Sequence, residues 1–570
     1  MQNITEKINQ WMNFPFDEET INLVKQLQAN NPKELEESFY KDLSFGTGGM
    51  RGIMGVGTNR LNKYTIGKAT QGLANYLNKT FKNELIKVAI AYDVRDNSKE
   101  FAEICANILS ANNIDALLFD GFRPTPLLSY TVREANCNAG IVITASHNPP
   151  EYNGYKVYWQ DGSQIVTPHD ENILQEISLV NFNQIKFNKQ ENRIKIIGKE
   201  FDDKFYEQSI LHANFNNTTD KDLKIVFTPI HGTSVYSIPS ILNKAGFNNL
   251  HLVKEQMIPS GKFFTVESPN PEEPEALKLA KELAIEVDAD IFIGTDPDAD
   301  RLGVGVKETT GNYFLLTGNQ TNTLLVDYLL DKWKTNNKLN GKQFIGTTNV
   351  TTDLIIELAK KYQVACLVGL TGFKWIAKMI EDNPTLKFIC GGEESYGFLV
   401  DDFVRDKDAL TTSLLFSEMA NELKIERKTP FQRLKEIYVE VGFFKEDLFS
   451  LTKKGKEGVE QINKIMNSFR NNFPKEIDGS ALVEVQDYLL SKEINLISNT
   501  NSKINFPVSD VLTFKTLDGS KLTIRPSGTE PKIKFYISVK TKLNSTTEFN
   551  ETDNKLKEKI KRIKTTLTEL

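Results

Sequence analysis

The chain has 570 residues, more than one hydrophobic core can organise, so several domains are expected. Its 39% hydrophobic and 25% charged residues give no case for disorder or a fibre. A net charge of −6 argues against a general nucleic-acid binder, so an anionic ligand would need local cationic loops.

The N-terminal "MQNITEKINQWMNF" has no signal-peptide core, and no apolar run approaches the ~18 residues that span a bilayer. A cytoplasmic enzyme with no membrane and no nucleic-acid partner is therefore expected. The four cysteines, Cys105, Cys137, Cys366 and Cys390, form no C-x-x-C pair, which argues against zinc and a redox dithiol. "GTGGMRG" at 46–52 resembles a dinucleotide fingerprint but has Arg51 where the last glycine should stand; it reads as a loop presenting Arg51 to a site.

Three stretches, starting at Ile86, Leu223 and Gln343, each read as apolar strand, polar turn, amphipathic helix and apolar strand. That is the βαβ signature of a parallel sheet covered by helices. From about 440 the pattern changes to a helix, "KKGKEGVEQINKIMNSFR", then strands "VSDVLTFKTL", "KLTIRP" and "KIKFYISVK", then a Lys-rich final helix with a solvated face. The expectation is α/β: three similar α/β domains with mixed, largely parallel sheets (1–205, 206–315, 316–440) plus a C-terminal α+β domain (441–570), arranged around a central cleft.

Four loops carry candidate chemistry. In "ITASHNPPEYNGYKVYW" (143–159), Ser146 follows a buried-strand pattern and should sit at a strand's C-terminal end, where α/β folds place ligands. It lies in no G-x-S-x-G elbow. His147 reads as a poor base for it, because neighbouring side chains point apart; a turn serine is the alternative. In "DADIFIGTDPDADRLGV", Asp296, Asp298 and Asp300 alternate, so their carboxylates can converge on one hard cation, Mg²⁺, Ca²⁺ or Mn²⁺. An EF-hand is excluded by Arg301 and Lys307 at its sixth and twelfth positions. In "CGGEESYGF", Glu393, Glu394 and Ser395 follow a strand and a glycine bend, suiting either sugar hydroxyls or a solvated turn. Beyond it, "VRDKDA" offers Arg405 and Lys407, or a salt-bridged surface patch. In "TIRPSGTEPKIKFY", Arg525, Ser527, Gly528 and Thr529 supply a guanidinium, hydroxyls and backbone N–H groups for a phosphate, or else a plain hairpin turn. No P-loop motif occurs.

The loops in this order, "TASHNP", "GTDPDADR", "GGEESYG" with "RDKDA", and "RPSGTEPK", resemble the α-D-phosphohexomutase family, the phosphoglucomutases and phosphomannomutases. "FGTGGMRG" and "TGFKWI" (Thr371, Gly372) match further family loops, and the likeness spans essentially the whole chain. "GYKVYW" and the length point to the subgroup of bacterial α-phosphoglucomutases and eukaryotic phosphoglucomutase/phosphopentomutases.

The resemblance implies interconversion of glucose 1-phosphate and glucose 6-phosphate through a phosphoserine and a 1,6-bisphosphate, with glucose 1,6-bisphosphate as activator. Ser146 would carry the phosphoryl group. Asp296, Asp298 and Asp300, with a phosphoserine oxygen on Ser146, would hold Mg²⁺. Arg301 and Arg51 would stabilise phosphoryl charge. Lys407 matches the acid/base position, with His147 and Lys156 in support. Thr371, Gly372, Glu393, Ser395 and Arg405 would bind substrate, while Arg525, Ser527, Gly528 and Thr529 would hold the non-reacting phosphate. Tyr396–Gly397–Phe398 departs from dual glucose/mannose enzymes and leans toward glucose. Phosphopentomutase, phosphomannomutase or glucose 1,6-bisphosphate synthase chemistry, a Mg²⁺-dependent phosphatase and a non-catalytic sensor are the alternatives. A monomer or weak homodimer is expected.

Overall fold

The computed structural model describes residues 4–46, 49–215, 221–308, 310–453, 455–527 and 532–568. It divides into two units, one of residues 1–317, 380–382 and 395–426, the other of 318–379, 383–394 and 427–570.

In the first unit, the βαβ stretch from Ile86 gives the parallel strands Lys87–Tyr92 and Asp115–Phe119 around the helix Ser98–Ala111. Val88, Ala89, Ile90 and Ala91 are fully buried, as a sheet covered on both faces demands. The whole sheet is mixed, in the order Gly49–Ile53, Tyr152–Trp159, Ala139–Ile143, Lys87–Tyr92, Asp115–Phe119, Ile194–Ile197. The first two strands run antiparallel, Arg51 opposite Gly154. A Cβ on Gly154 would lie 2.4 Å from the Thr144 carbonyl, so only glycine lets this strand pass the start of the serine loop.

The second βαβ stretch pairs Ile225–Thr228 in parallel with Leu250–Leu252 and Ile291–Thr295. Leu302–Lys307 then folds back antiparallel on Ile291–Thr295, so the aspartates occupy the connection between two strands. Among the described residues, no helix is long and apolar enough to cross a membrane.

In the second unit, the third βαβ stretch gives Gln343–Thr348, with Ala365–Gly369 and Lys387–Glu393 parallel to it. The glycines read as a bend, Gly391 and Gly392, lie inside the last of these strands. A Cβ on Gly392 would meet the Asn322 amide at 2.7 Å, and that amide donates to the Glu393 carbonyl at 2.9 Å. Close packing, of Gly392 against the helix Gly318–Thr335 and of Gly391 against the Gly346 carbonyl and Ile376, rather than a turn, is what these glycines serve.

The tail is richer in strands than its sequence suggests. Phe443–Thr452 is a strand paired antiparallel along its length with Lys532–Thr541. Ser480–Asp487, Lys492–Asn495 and Thr500–Lys503 add to the same sheet. Lys492–Asn495 and Thr500–Lys503 are mostly polar and carry little apolar signal. The final helix Phe549–Thr568 buries Phe549, Leu556, Ile560, Ile563 and Leu567, an amphipathic stripe, and leaves its lysines toward solvent.

The helix Ala409–Ile425 of the first unit begins two residues after Lys407 and is capped by Asp408, which accepts from the Leu410 N–H at 2.9 Å and the Thr411 N–H at 3.2 Å. Asp408 is fully buried, and this burial pushes its carboxyl up from 3.8 to about 6 despite hydrogen bonds that favour its charged form. The folded state thus holds the proton longer than the unfolded chain, and the stability contributed by Asp408 falls as pH rises from 3.8 toward 6. Asp408→Asn keeps an acceptor and removes the titration. The wild-type advantage over this variant should shrink by about 2 kcal/mol between about pH 4.5 and about pH 7. Paired thermal melts at the two pH values check this; a pH-independent difference in melting temperature contradicts it.

Candidate active site

The loop 296–300 is held in a bend by its own backbone. Asp296 Oδ1 accepts the N–H groups of Asp300 (3.0 Å) and Arg301 (3.1 Å), and Ala299 takes a left-handed φ of 54°. The result brings one oxygen from each of Asp296, Asp298 and Asp300 within 4.8 Å of the others, all three residues buried. Neighbouring segments grip the loop by its carbonyls. The Thr125 N–H donates to Asp298 O at 2.9 Å, the Thr233 N–H to Pro297 O at 2.8 Å, and the Ala409 N–H to Ala299 O at 3.2 Å.

Positive charge balances the carboxylates. Lys156 Nζ lies 2.7 Å from Asp298 Oδ2 and 3.4 Å from Asp300 Oδ2, and Lys407 Nζ lies 3.5 Å from Asp300 Oδ2. Arg301 pairs with Glu272, and its Nε stands 3.7 Å from Asp300 Oδ1. Burial opposes ionisation throughout. It combines with repulsion from Asp298 and Asp300 to raise Asp296 well above the usual carboxylate range. At Asp298 burial pulls the same way, but Lys156 and hydrogen bonds from Asp296, Lys156 and Thr125 overcome it and keep that carboxyl low. Asp300 is likewise lowered: Lys407, Lys156 and Arg301 outweigh burial and Asp298.

Asp298 Oδ1 and Asp300 Oδ1 are buried without a hydrogen-bond partner. Two orphaned anionic oxygens beside a third carboxylate fit a hard cation with oxygen ligands. The set can therefore hold a metal ion.

Ser146 follows the strand Ala139–Ile143 and adopts a φ of 53°. Its Oγ donates to Asp296 Oδ2 at 2.8 Å. It also lies 3.1 Å from His147 Nδ1, which corrects the expectation that the two side chains point apart. The reasoning assumed extended backbone, and the left-handed serine turns its side chain to the same side as its neighbour. Burial, reinforced by the nearby Arg301 and Arg51 charges, holds His147 well below its usual range, so its ring is neutral at physiological pH. Lys156 feels Asp298, Asp300, Arg51 and Lys407. Ser146, His147, Lys156, the three aspartates, Arg301 and Lys407 thus form one cluster, with Arg51 acting on it through its field.

Arg405 stands apart from that cluster. Its N–H donates to Ser129 Oγ at 2.9 Å and its side chain is tied to Asp402. Ser395, also in the first unit, is partly buried just before Tyr396, whose carbonyl accepts the Leu302 N–H at 3.0 Å. The second unit holds the other expected groups. Glu393 ends a strand, and Glu394 Oε2 accepts from Thr351 Oγ1 at 3.2 Å. Burial raises the Tyr536 phenol, Glu394 and Glu393 raise it further, and a hydrogen bond and charge from Arg525 oppose them, so these four groups share one neighbourhood. Thr371 Oγ1 reaches Asn349 Oδ1 at 3.4 Å, and Gly372 has a φ of 114° that other residues rarely adopt. Ser527 follows the strand Lys521–Pro526, its N–H donating to Lys532 O at 2.7 Å. Gly528 and Thr529 lie outside the described residues.

Sequence reasoning missed the residues that position the site. Arg95 is buried and its guanidinium donates to the carbonyls of Ser146 (2.6 Å), Asn148, Pro149 (2.8 Å) and Tyr152 (3.0 Å), while Asp93 backs it at 3.2 Å. Asp406 Oδ1 lies 3.2 Å from Lys407 Nζ, and its Oδ2 accepts the Tyr158 hydroxyl at 2.7 Å. The available signal was "YDVRDN" directly after an apolar strand, the same strand-end setting that marked Ser146.

The family profiles described as "Phosphoglucomutase/phosphomannomutase, alpha/beta/alpha" domains I, II and III match residues 42–184, 203–311 and 317–441. The phosphoglucomutase of Staphylococcus aureus (strain USA300) is 41% identical over 514 residues, covering 89% of this chain and 91% of that protein. Two solved structures share the fold. A phosphoglucomutase/phosphomannomutase family protein from Burkholderia thailandensis has a TM-score of 0.64 at 18% identity, with 91% of this chain and 97% of that one covered. The Paramecium phosphoprotein pp63/parafusin has a TM-score of 0.65 at 17% identity, with 92% and 96% covered.

The raised Asp296 makes metal affinity pH-dependent. Asp296 holds its proton to higher pH than an ordinary carboxyl, and a bound cation favours its loss. Affinity should therefore rise with pH, and binding should be accompanied by proton release. Calorimetric titration of Mg²⁺ in buffers of different ionisation enthalpy measures this. Heats that do not depend on the buffer contradict it.

Proposed function

The chain belongs to the phosphoglucomutase/phosphomannomutase family, and from that premise we propose that it interconverts glucose 1-phosphate and glucose 6-phosphate through Ser146. It is an intramolecular phosphotransferase acting on a sugar phosphate. The observation that carries the role of Ser146 is its hydroxyl 2.8 Å from the buried Asp296, inside the aspartate cluster.

The reaction balances as two transfers. Phosphorylated Ser146 gives its phosphoryl group to the free sugar hydroxyl. The P–Oγ bond breaks, a P–O bond to the sugar forms, and the proton lost by the sugar hydroxyl is balanced by one gained at the freed Ser146 Oγ. The product is glucose 1,6-bisphosphate, which turns over in the site. Its other phosphoryl group then returns to Ser146, whose hydroxyl proton is balanced by the one the released sugar oxygen takes up. We propose glucose 1,6-bisphosphate as activator, because from solution it can charge an unphosphorylated Ser146.

We assign the roles as follows. Lys407, set between Asp406 Oδ1 at 3.2 Å and Asp300 Oδ2 at 3.5 Å, moves the sugar's proton. Neutral His147 stands 3.1 Å from Ser146 Oγ and orients it, while Lys156 neutralises Asp298 and Asp300. Arg51 and Arg301 stabilise charge on the transferring group. Asp296, Asp298 and Asp300 hold Mg²⁺, which supplies Lewis-acid stabilisation of phosphoryl charge. Glu393 and Ser395 read sugar hydroxyls, with Thr371, Gly372 and Arg405 in support. Arg525 and Ser527, with Gly528 and Thr529, grip the phosphate that is not reacting, where a guanidinium fits bidentately.

The four-part division at 205, 315 and 440 is our working assignment, with one loop from each part. We place the enzyme in the cytoplasm as a monomer or weak homodimer; its four free cysteines suit a reducing compartment.

Ser146→Ala should lose glucose 1-phosphate turnover by a factor on the order of 10⁴ or more, because it removes the group that carries the phosphoryl. The melting temperature should hardly change. A coupled assay on glucose 1-phosphate, with ribose 1-phosphate and mannose 1-phosphate beside it, makes the measurement. A variant that retains full turnover refutes the mechanism, and a wild type that prefers ribose or mannose phosphate refutes the glucose assignment.

A further inference from the structure

One carboxylate beside the aspartate cluster has no part in the roles assigned so far. Glu272 pairs through Oε1 with Nη1 of Arg301, the residue that follows Asp300. The same guanidinium has a second carboxylate close by. Its Nε stands 3.7 Å from Asp300 Oδ1, too far for a hydrogen bond. Asp300 Oδ1 is buried, has no hydrogen-bond partner, and is one of the two oxygens that fit a cation.

The fold fixes where Glu272 stands. Gly303, two residues after Arg301, lies on the strand Leu302–Lys307. A Cβ there would lie 2.7 Å from the Pro271 carbonyl oxygen and 3.0 Å from Pro271 Cβ, so glycine lets the residue before Glu272 press against that strand. The Glu272 N–H donates to Asn270 Oδ1 at 3.2 Å, which shapes the turn. Arg301 is held at its backbone as well, its N–H on Asp296 Oδ1 at 3.1 Å. The arginine therefore runs from the aspartate loop to Glu272 with both ends fixed. Its side chain is 16% exposed and that of Glu272 30%, so water screens the pair only in part.

Two carboxylates thus compete for one guanidinium. While Glu272 holds it, Arg301 stops short of Asp300 Oδ1. Without the Glu272 charge, a small rotation of the arginine side chain would bring it onto that oxygen, where a charge-assisted hydrogen bond in a buried setting is strong. An arginine placed there occupies a cation ligand and sets a positive charge against the incoming ion.

We propose that Glu272 is a positioning residue: it restrains Arg301 and so keeps Asp300 Oδ1 open to a divalent cation. This role rests on the three aspartates being the metal site and adds a residue outside them that governs it.

The test is a calorimetric titration of Mg²⁺ into the full-length wild type, Glu272→Gln, Arg301→Met and the double variant. Glu272→Gln keeps the shape of the side chain and removes its charge. It should weaken Mg²⁺ by about tenfold or more when Arg301 is present, and by less than about threefold in the Arg301→Met background. Its melting temperature should hardly change. Undiminished Mg²⁺ affinity in Glu272→Gln would overturn the proposal. So would an equal loss in both backgrounds, which would make Glu272 act through its own field rather than through Arg301. A large fall in melting temperature would overturn it too, by making Glu272 a structural residue. A wild type that binds no Mg²⁺ would refute the metal site and this role with it. Since no turnover is measured, each of these failures is distinct from a failure of the mutase assignment.

Discussion

Three carboxylates buried within 4.8 Å of one another are costly, and the first unit is organised around meeting that cost. Lys156 and Lys407 bring cations to Asp298 and Asp300, and the Asp300 and Arg301 amides satisfy Asp296 Oδ1. Thr125, Thr233 and Ala409 fix the loop's carbonyls, so the carboxylates cannot relax apart. What remains unsatisfied, Asp298 Oδ1 and Asp300 Oδ1, is the place for a cation. A structural turn would not be built this way, because nothing in folding alone requires two buried anionic oxygens without hydrogen-bond partners.

The serine loop faces the same problem from the other side. Its carbonyls turn toward the buried Arg95, which collects four of them with one side chain. Asp93 keeps that guanidinium from being an unpaired buried charge. The left-handed Ser146 is held by this clamp and by its N–H bond to Thr144 Oγ1 at 2.8 Å, which together aim Oγ at Asp296. The phosphoryl transfer we propose for Ser146 would draw on rigidity built before any substrate arrives.

Much of this was readable from local pattern, and the reason is physical. Continuous apolar strands such as "VAIAY" and "IFIGT" announce a doubly covered sheet, and the residues at their C-terminal ends announce ligand loops. The two-residue spacing of the aspartates survived folding because the loop is short and braced on both sides. Patterns failed where tertiary context decides. Gly391 and Gly392 suggest a bend because glycine often turns, whereas here close packing excludes a Cβ. The strand Phe443–Thr452 hid because "KED" interrupts its apolar residues, which an edge strand tolerates. His147 was judged from extended geometry that the positive φ of Ser146 abolishes. Arg95 and Asp406 act through other residues, and a single sequence contains no spacing rule for that.

The most direct test of the account is a single-turnover transfer. The protein is charged with ³²P from labelled glucose 1,6-bisphosphate, freed of ligand, and mixed with unlabelled glucose 1-phosphate and Mg²⁺. The account predicts that label starts on Ser146 alone and appears first in glucose 1,6-bisphosphate, at a rate no slower than steady-state turnover. Label that appears as inorganic phosphate, or that stays on the protein while turnover proceeds, would contradict it.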